Sequence, residues 1–378
     1  MTKNLVSSKA IAATAPAAPP AGPPEFARAD GASLSPAIAA LLRGGTLSAE
    51  QTAVAFEAIM SGHAHHGEIG ALLALLATRT PTSAEILGAA RVMRRHVDPV
   101  QSTRDPFTLV DTAGTGGAPK TFNVSTAAAI VVAAAGRGRI GVAKHGNRSR
   151  TGRGSAEVLR ALGVNVDAGR DTQARCLDEV GVCFCFAIHH HPAARHAMPV
   201  RLALGFPTIF NLLGPLTNPA GAARQVMGVY ERRFMAPIAE ALRDLAPPGA
   251  GGRAMVVHSR DGLDEISISA PTWAMHVEHG QVREDEIDPE AMGLELAPRE
   301  DVTARDLDHA AQMIRDVLQG KDRGPARSMT LLNAAAALLV GEVVDSMLQG
   351  IAAAADAIDS GAAMNTLAAL ARVSRESN

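Results

Sequence analysis

The sequence predicts an α/β fold, in which a small all-helical domain accompanies a large α/β domain with a mostly parallel central sheet flanked by helices. Between residues 35 and 100, apolar side chains recur at helical spacing between helix caps. From Phe107 onward, short apolar strands alternate with glycine loops and helices, which is the order of a parallel α/β sheet. With 378 residues, of which 47% are hydrophobic, the chain can bury one large core or two moderate ones.

Four helices are predicted in the first region. Ser35-Pro36 begins the first helix and Gly44-Gly45 ends it, because proline suits a first helical turn and glycine suits a helix terminus. Two pairs have the spacing of a capping box, namely Ser48 with Gln51 and Thr82 with Glu85. Between these pairs, apolar residues recur on one helical face at Ile69, Leu72, Leu73 and Leu76.

The second region begins with a strand, FTLVD, that starts at Phe107 and leads into the glycine loop GTGG. A helix is predicted at 125–135 and a second strand at 139–143, so a strand, a loop, a helix and a strand follow one another. The alternation continues with strands at 183–187, 225–229 and 254–258 and helices at 232–245, 303–318 and 327–340. The segment 270–302 is too irregular to predict more than a hairpin.

Composition argues against several classes of protein. Residues 1–33 are rich in alanine and proline and are predicted to be a disordered tail without a secretory signal, while a targeting role stays open. No apolar run approaches the roughly 18 residues that a membrane-spanning helix needs, so no membrane partner is expected. The formal net charge of −2, spread over interspersed acids and bases, argues against a nucleic-acid partner but allows a local basic pocket for an anion.

Three cysteines, Cys176, Cys183 and Cys185, lie close together in the sequence. An odd number of cysteines without a disulfide framework suits the cytoplasm. Because residues 189–191 are histidines, a zinc site is one interpretation of the segment. The alternating pattern CFCFA and the lack of a second cysteine pair favour the other interpretation, buried thiols in a strand.

The glycine loop is the first candidate site. Gly114, Thr115, Gly116 and Gly117 lie where a strand leads into a helix, so that backbone N–H groups can converge on an anion, although a tight turn alone would explain the glycines. Polar side chains follow at the helix N-terminus, where they can cap the helix, bind phosphate oxygens or hold a magnesium ion through a hydroxyl. These side chains belong to Thr121, Asn123, Ser125 and Thr126.

A cationic cluster follows the strand at 139–143. Its polar members are Lys144, His145, Asn147, Arg148, Arg150 and Arg153. A solvated basic loop is one interpretation of the cluster. Ligands collect at the carboxyl edge of an open α/β sheet, however, and at that edge the glycine loop and the cationic cluster would face one crevice.

Two further motifs have the residue types of a substrate site. Arg201 precedes the segment TIFNLLGPLTNPA, and a guanidinium matches a carboxylate with two hydrogen bonds, although a surface arginine near a helix end is the alternative. Asp264 and Glu265 follow the apolar strand AMVVH. Adjacent carboxylates repel one another, so this pair either faces solvent or binds a cation such as Mg²⁺.

Taken in order along residues 34–370, these segments resemble the anthranilate phosphoribosyltransferase family. The most specific of them are GTGG…TFNVSTAAA, AKHGNR, GSAEVLRALGV, HPA…VR, TIFNLLGPLTNPA and DGLDEISIS. The resemblance implies transfer of phosphoribose from phosphoribosyl pyrophosphate to anthranilate, with release of pyrophosphate, in tryptophan biosynthesis. It also implies Mg²⁺ as the cofactor and a cytoplasmic homodimer joined through the helical domain.

The same resemblance implies how the chain is divided. A helical domain would cover residues 34–103, with a second contribution from about 189–222. The α/β domain that binds the phosphoribosyl donor would cover 104–188 and 223–372, and the donor and Mg²⁺ would bind in the cleft between the two.

Position by position, the resemblance assigns three sets of residues. It implies donor contacts for Gly114, Thr115, Gly116, Gly117, Thr121, Asn123, Ser125, Thr126, Lys144, Arg150 and Arg153. It implies acceptor contacts for Gly114, His145, Asn147, His191, Arg201, Gly214 and Pro215, and metal contacts for Ser125, Asp264 and Glu265. Among them Lys144, His145 and Arg201 are the candidate catalytic residues, which act by charge and positioning rather than as a strong general base.

The chain departs from the family pattern in loops that face the substrates. Ala118 stands where an aspartate usually follows GTGG, residues 149–153 carry two arginines in place of serines and a lysine, and Pro207 stands where an arginine is frequent. These departures leave two alternatives open: a transferase with a different aromatic acceptor, and a non-catalytic relative that binds a ligand or a nucleic acid. A nucleoside phosphorylase would share the architecture, but Arg201 and TIFNLLGPLTNPA favour the transferase.

Overall fold

The predicted fold class is confirmed by the computed structural model, which describes residues 33–149, 152–246 and 252–376. The predicted tail apart from Ser33, and the predicted donor residue Arg150, lie outside the described residues. The residues from Ser33 onward that are described belong to one compact unit. None of the described helices is long and apolar enough to cross a membrane.

Four helices begin the described chain: α1 (Ser35–Leu42), α2 (Ala49–Met60), α3 (His66–Ala77) and α4 (Ser83–Arg95). Both predicted capping boxes are present, at the N-termini of α2 and α4. The predicted apolar face of α3 is buried, since Ile69, Leu72, Leu73 and Leu76 are each at most 1% exposed.

Glu85 fixes the position of α4 against the preceding loop. Its buried carboxylate accepts hydrogen bonds from the backbone amides of Leu47 at 2.9 Å and Thr82 at 2.8 Å, and from the Arg79 guanidinium at 2.8 Å. Burial alone would raise the pKa of Glu85, but the hydrogen bonds from Arg79 and the two amides outweigh burial and lower it. The helical region can therefore hold a charged group inside, because that group is paired on several sides.

The central sheet contains seven described strands, in the spatial order β3-β2-β1-β4-β5-β6-β7. They are β1 (Leu109–Asp111), β2 (Gly141–Gly146), β3 (Val182–Phe186), β4 (Arg224–Gly228), β5 (Arg253–Ser259), β6 (Thr272–Glu278) and β7 (Gln281–Ile287). Strands β1 to β5 pair in parallel, whereas β6 and β7 pair antiparallel and form the hairpin predicted within 270–302.

Eleven further helices are described outside the first four. They are α5 (Val124–Ala135), α6 (Ser155–Ala161), α7 (Arg170–Arg175), α8 (Ala187–His190), α9 (Met198–Leu204), α10 (Ile209–Leu213), α11 (Met235–Leu245), α12 (Leu307–Leu318), α13 (Pro325–Val340), α14 (Met347–Asp359) and α15 (Ala362–Val373). The predictions had not included α6 to α10, α14 and α15.

Several predicted boundaries were wrong by two to four residues, including the starts of α11 at Met235 and α13 at Pro325. The first strand is shorter than FTLVD, because residues 106–108 form a 3₁₀ turn before it. Strand β2 continues to Gly146 rather than ending at residue 143, so Lys144 and His145 belong to the strand. Helix α12 begins at Leu307 rather than 303, because the Asp306 side chain caps it by accepting a hydrogen bond from a backbone N–H.

The sheet separates two apolar clusters. Alternate residues of β5 point to opposite faces: Met255 and Val257 join the cluster that contains α5 and α12 to α15, whereas Ala254 and Val256 join the other. That second cluster also contains apolar residues of α1 to α4 and α9 to α11. The helical region therefore shares its core with one face of the sheet.

Candidate active site

The glycine loop and the Asp264 segment meet at the carboxyl edge of the sheet. The backbone N–H of Gly116 donates to Asp264 Oδ2 at 3.1 Å, and the N–H of Thr115 donates to the carbonyl of Gly228 at 2.9 Å. A Cβ atom at Gly228 would lie 1.6 Å from the backbone oxygen of Asp264, and one at Gly114 would lie 3.2 Å from Asp264 Oδ2. The chain can pass this closely because these positions are glycines.

The two adjacent carboxylates are partly buried. Glu265 Oε2 accepts a hydrogen bond from Thr121 Oγ1 at 2.7 Å, which links the pair to the N-terminus of α5. Burial raises the pKa of Glu265 to about 8, and the neighbouring Asp264 carboxylate acts in the same direction. Burial also raises the pKa of Asp264, against the hydrogen bond from Gly116. Two adjacent, partly buried carboxylates with raised pKa values form a site that a cation would stabilise.

The oxygen atoms at this position fit Mg²⁺. Carboxylates are its usual protein ligands, and Mg²⁺ is commonly bound by one or two of them together with substrate phosphates. Among the described residues, no group of three or more His, Cys, Asp or Glu side chains could hold a metal ion by itself. Asp264 and Glu265 would therefore hold Mg²⁺ together with oxygen atoms supplied by a phosphorylated substrate.

Lys144 is buried at the end of β2, with 3% of its surface exposed. Its ammonium donates to Ser125 Oγ at 3.1 Å, so two predicted donor residues are in contact. Burial lowers the pKa of Lys144 to about 8, whereas the charges of Asp111 and Glu265 raise it. The alternative of a solvated basic loop is therefore wrong for Lys144.

Two residues that support this strand were not predicted. Asp111 Oδ1 accepts from the backbone N–H of His145 at 3.1 Å, and Asp111 Oδ2 accepts from Asn218 Nδ2 at 2.8 Å. Asn218 Nδ2 also donates to the carbonyl of Ala143 at 2.7 Å. Burial raises the pKa of Asp111 to about 6, against the hydrogen bond from Asn218 and the charge of Lys144. The signals available were the position of Asp111 at a strand end and that of Asn218 within TIFNLLGPLTNPA.

The residues predicted for the acceptor form a second group beside Lys144. His145 Nε2 lies 3.2 Å from His191 Nε2, and the backbone of Gly214 accepts a hydrogen bond from His145. The Arg201 guanidinium lies over the ring of Phe210, 5.0 Å from its centroid, at the helix that leads into Gly214. Pro215 follows Gly214, and its carbonyl accepts a hydrogen bond from a glutamine side chain at 2.7 Å.

Arg201 is a half-buried cation without a counter-ion in the described part of the chain. Burial lowers the pKa of Arg201, and no carboxylate of the described residues pairs with it. The guanidinium nevertheless stays charged near neutral pH. A substrate carboxylate would supply the missing charge.

The remaining predicted residues have other contacts. Asn123 does not cap α5 with its side chain; it has a left-handed backbone with φ of 65° and donates through Nδ2 to the carbonyl of Arg153 at 3.2 Å. The guanidinium of Arg153 donates to the carbonyl of Ala304. Asn147 Oδ1 accepts from the following backbone amide at 2.8 Å. The hydroxyl of Thr126 is buried without a hydrogen-bond partner among the described residues.

The cysteines and histidines of 183–191 have separate partners. Cys183 and Cys185 are buried in β3 with their sulfur atoms 3.7 Å apart. His189 Nε2 lies 3.0 Å from Asp167 Oδ1, and His190 contacts the carbonyl of Asp98 and the side chain of Gln173, each at 2.8 Å. The imidazoles of His189 and His190 therefore contact oxygen atoms, and that of His191 contacts His145, rather than the thiols.

Because the imidazoles of His145 and His191 are buried, we expect the free energy of unfolding to fall at acid pH. Burial lowers the pKa of His191 to about 4, whereas an unfolded histidine titrates near 6.5. The unfolded chain therefore binds a proton first, and stability present above pH 6.5 is lost as pH falls toward 4, on the order of 3 kcal/mol for this residue. Urea unfolding of His191→Gln between pH 7 and 4.5 should lose less stability than the wild type.

The exposed His63 provides the matched control. His63→Gln should follow the wild-type pH dependence of unfolding within error. A His191→Gln curve parallel to that of the wild type over the whole pH range would contradict the prediction.

Comparison with known proteins gives matches along most of the chain. A model described as glycosyl transferase family, helical bundle domain, matches residues 35–97, and one described as glycosyl transferase family, a/b domain, matches residues 107–364. The anthranilate phosphoribosyltransferase of Rubrobacter xylanophilus is 46% identical over 334 residues, which cover 88% of this chain and 95% of the relative. That of Hyphomonas neptunium is 47% identical over 348 residues, covering 91% and 98%.

Solved structures give the same result. A crystal structure of anthranilate phosphoribosyltransferase from Thermus thermophilus is similar with a TM-score of 0.82 and 37% identity, covering 90% of this chain and 99% of that one. The Saccharomyces cerevisiae anthranilate phosphoribosyltransferase in complex with PRPP and Mg has a TM-score of 0.80 and 26% identity, covering 90% and 97%.

Proposed function

This chain belongs to the anthranilate phosphoribosyltransferase family, and on that premise we propose how its residues move phosphoribose from phosphoribosyl pyrophosphate to anthranilate. The observation that carries the proposal is the set of contacts that joins the predicted donor residues to one another and to the predicted metal ligands: Gly116 to Asp264, Thr121 to Glu265, and Lys144 to Ser125. A pyrophosphate group needs such a mixture of amides, hydroxyls and a cation around it.

The donor side stabilises the leaving group. Breaking the bond between the anomeric carbon and pyrophosphate develops positive charge on the sugar and negative charge on the leaving oxygen. The Lys144 ammonium and the amides of 114–117 attract that negative charge, a contribution on the order of several kcal/mol in a site removed from water. Mg²⁺, held by Asp264 and Glu265 with oxygen atoms of the donor, would neutralise further charge on the pyrophosphate.

The acceptor side positions anthranilate. Arg201 binds the acceptor carboxylate with two parallel hydrogen bonds, and this is supported by its lack of a counter-ion among the described residues. The anthranilate amine then attacks the anomeric carbon from the face opposite the leaving group, and pyrophosphate departs with the bonding electron pair. The nitrogen of the new carbon–nitrogen bond becomes neutral when it loses a proton to solvent. Burial lowers the pKa of His145 and His191 below the neutral range, so both imidazoles are uncharged at neutral pH. They line the acceptor site as neutral hydrogen-bonding groups. Positioning rather than deprotonation of the amine drives this half of the reaction.

We further propose the domain division, assembly and location of the enzyme. The helical domain comprises 34–103 and about 189–222, which is supported by the apolar cluster that α1 to α4 share with α9 and α10. The enzyme is a homodimer joined through this domain, in agreement with the exposure of Leu42, Val54 and Leu202 at 69%, 73% and 74%. Three free cysteines support a cytoplasmic location.

Purified protein supplied with phosphoribosyl pyrophosphate, Mg²⁺ and anthranilate should consume anthranilate, because the donor residues, the carboxylate pair and Arg201 together bind both substrates. The decay of anthranilate fluorescence measures the reaction directly. Reactions without Mg²⁺ or without the donor are the controls and should show no decay. Unchanged fluorescence at millimolar donor would overturn the proposed function.

A further inference from the structure

Lys120 follows the glycine loop and was not among the predicted site residues. Its side chain is partly buried, and its ammonium donates to the hydroxyl of Ser149 and, at 3.3 Å, to the carbonyl of Arg153. Ser149 and Arg153 belong to the segment after β2. The positive charge of Lys120, directly after the glycine loop, therefore contacts the segment that follows β2.

The same ammonium interacts electrostatically with the carboxylate pair. Burial and the charge of Arg153 lower the pKa of Lys120, whereas Glu157, Asp264 and Glu265 raise it. Lys120 therefore contacts the segment after β2, and its ammonium also feels the charge of the carboxylates that would hold Mg²⁺. A donor pyrophosphate bound by Mg²⁺ at that pair and by the glycine loop would lie within reach of this charge.

The Arg153 side chain is bound elsewhere in the protein, so of these two residues Lys120 is the one whose cation is available to the donor phosphates. The guanidinium of Arg153 donates to the carbonyl of Ala304, and its own carbonyl accepts from both Lys120 Nζ and Asn123 Nδ2. The Arg153 side chain is thus engaged with the segment before α12, whereas the Lys120 ammonium can exchange its two neutral acceptors for phosphate oxygens. An ammonium gains more from an anionic acceptor than from a hydroxyl or a carbonyl.

We propose that Lys120 binds the pyrophosphate group of the donor, and that it supplies a positive charge directly after the glycine loop. The inference rests on the proposed function and adds a residue to its donor site. In the free protein Lys120 links the two loops through Ser149 and Arg153; with donor bound, it turns to the phosphates.

Calorimetric titration with Mg²⁺ and either phosphoribosyl pyrophosphate or inorganic pyrophosphate, without anthranilate, tests this directly. Lys120→Met should weaken the binding of both ligands about tenfold or more and reduce its dependence on salt, because one charge is lost. Lys120→Arg should recover most of the affinity. The Michaelis constant for anthranilate should change less than twofold in both variants.

The Ser149→Ala variant distinguishes two roles of Lys120: binding the donor phosphates, or only holding the two loops together through Ser149. It removes one acceptor of the Lys120 ammonium and leaves the charge in place, so donor affinity should stay within about threefold of the wild type. If Ser149→Ala weakens binding as much as Lys120→Met does, or if Lys120→Met binds both ligands like the wild type, the inference is wrong. Failure of the proposed function would instead appear in the wild type, as absent donor binding or absent turnover.

Discussion

Replacement of Lys144 by methionine is expected to lower kcat/KM for the donor by about 10²- to 10³-fold without unfolding the protein. Lys144 is 3% exposed, and its ammonium lies 3.1 Å from Ser125 Oγ. Although burial lowers the pKa of Lys144 to about 8, the residue remains mostly charged at pH 7. A charge removed from water attracts a developing anion more strongly than an exposed charge does. Methionine fills a similar volume without that charge.

The kinetic comparison uses two further lysine variants. Lys144→Arg keeps a positive charge but places a larger planar group beside Ser125, so partial activity is expected. Lys321→Met changes an exposed lysine and should leave kinetics unaltered. Thermal unfolding of all three variants separates loss of catalysis from loss of fold. Wild-type kcat/KM in folded Lys144→Met would show that the leaving group draws its stabilisation from elsewhere.

Arg201→Ala is expected to raise the Michaelis constant for anthranilate by about 10²-fold, with a change of less than about threefold for the donor. The guanidinium lies over the Phe210 ring at 5.0 Å, and among the described residues no carboxylate pairs with it. The free protein therefore keeps an oriented cation whose hydrogen-bonding edge is available to a ligand. Removal of that cation leaves the acceptor carboxylate to water and the amine without a fixed position.

Two arginine controls sharpen this measurement. Arg201→Lys keeps the charge but cannot form two parallel hydrogen bonds, so it should recover only a small part of the acceptor affinity. Arg195→Ala removes an exposed arginine from the turn before α9 and should behave like the wild type. Equal changes in the Michaelis constants of both substrates upon Arg201→Ala would show that the residue does not bind the acceptor.

Local patterns predicted much of the fold, because caps and periodicity act over a few residues. The capping boxes at Ser48 and Thr82 appear where their spacing indicated them. Helix α14 was missed because its buried side consists largely of alanine and glycine, as at Gly350 and Ala354, and gives little apolar contrast. Helix α15 has a clearer pattern, with Leu367, Leu370 and Val373 buried at helical spacing, which the prediction did not use. The end of β2 was misplaced because a charged Lys144 was expected to leave a strand, whereas long-range partners allow it to stay.

The candidate site was predictable where motifs put the residues next to one another. Gly116, Thr121 and Lys144 were found from short segments, and their contacts join those segments at one edge. Asn218 was not found as a partner of Asp111, since 107 residues separate them and only the folded chain brings them within 2.8 Å. Lys120 was missed for the same reason, because its position is defined by the loop after β2.

Strand β7 also determines where the sheet ends. An outermost strand offers unpaired N–H and C=O groups on which another chain can add, and such addition leads to aggregation. The central residues of β7 are charged, from Arg283 through Glu286, and they are mostly exposed. A second chain that paired there would have to take these charges out of water, which costs free energy. The hairpin thus protects the protein, at the high concentrations of a cell, from joining its copies edge to edge.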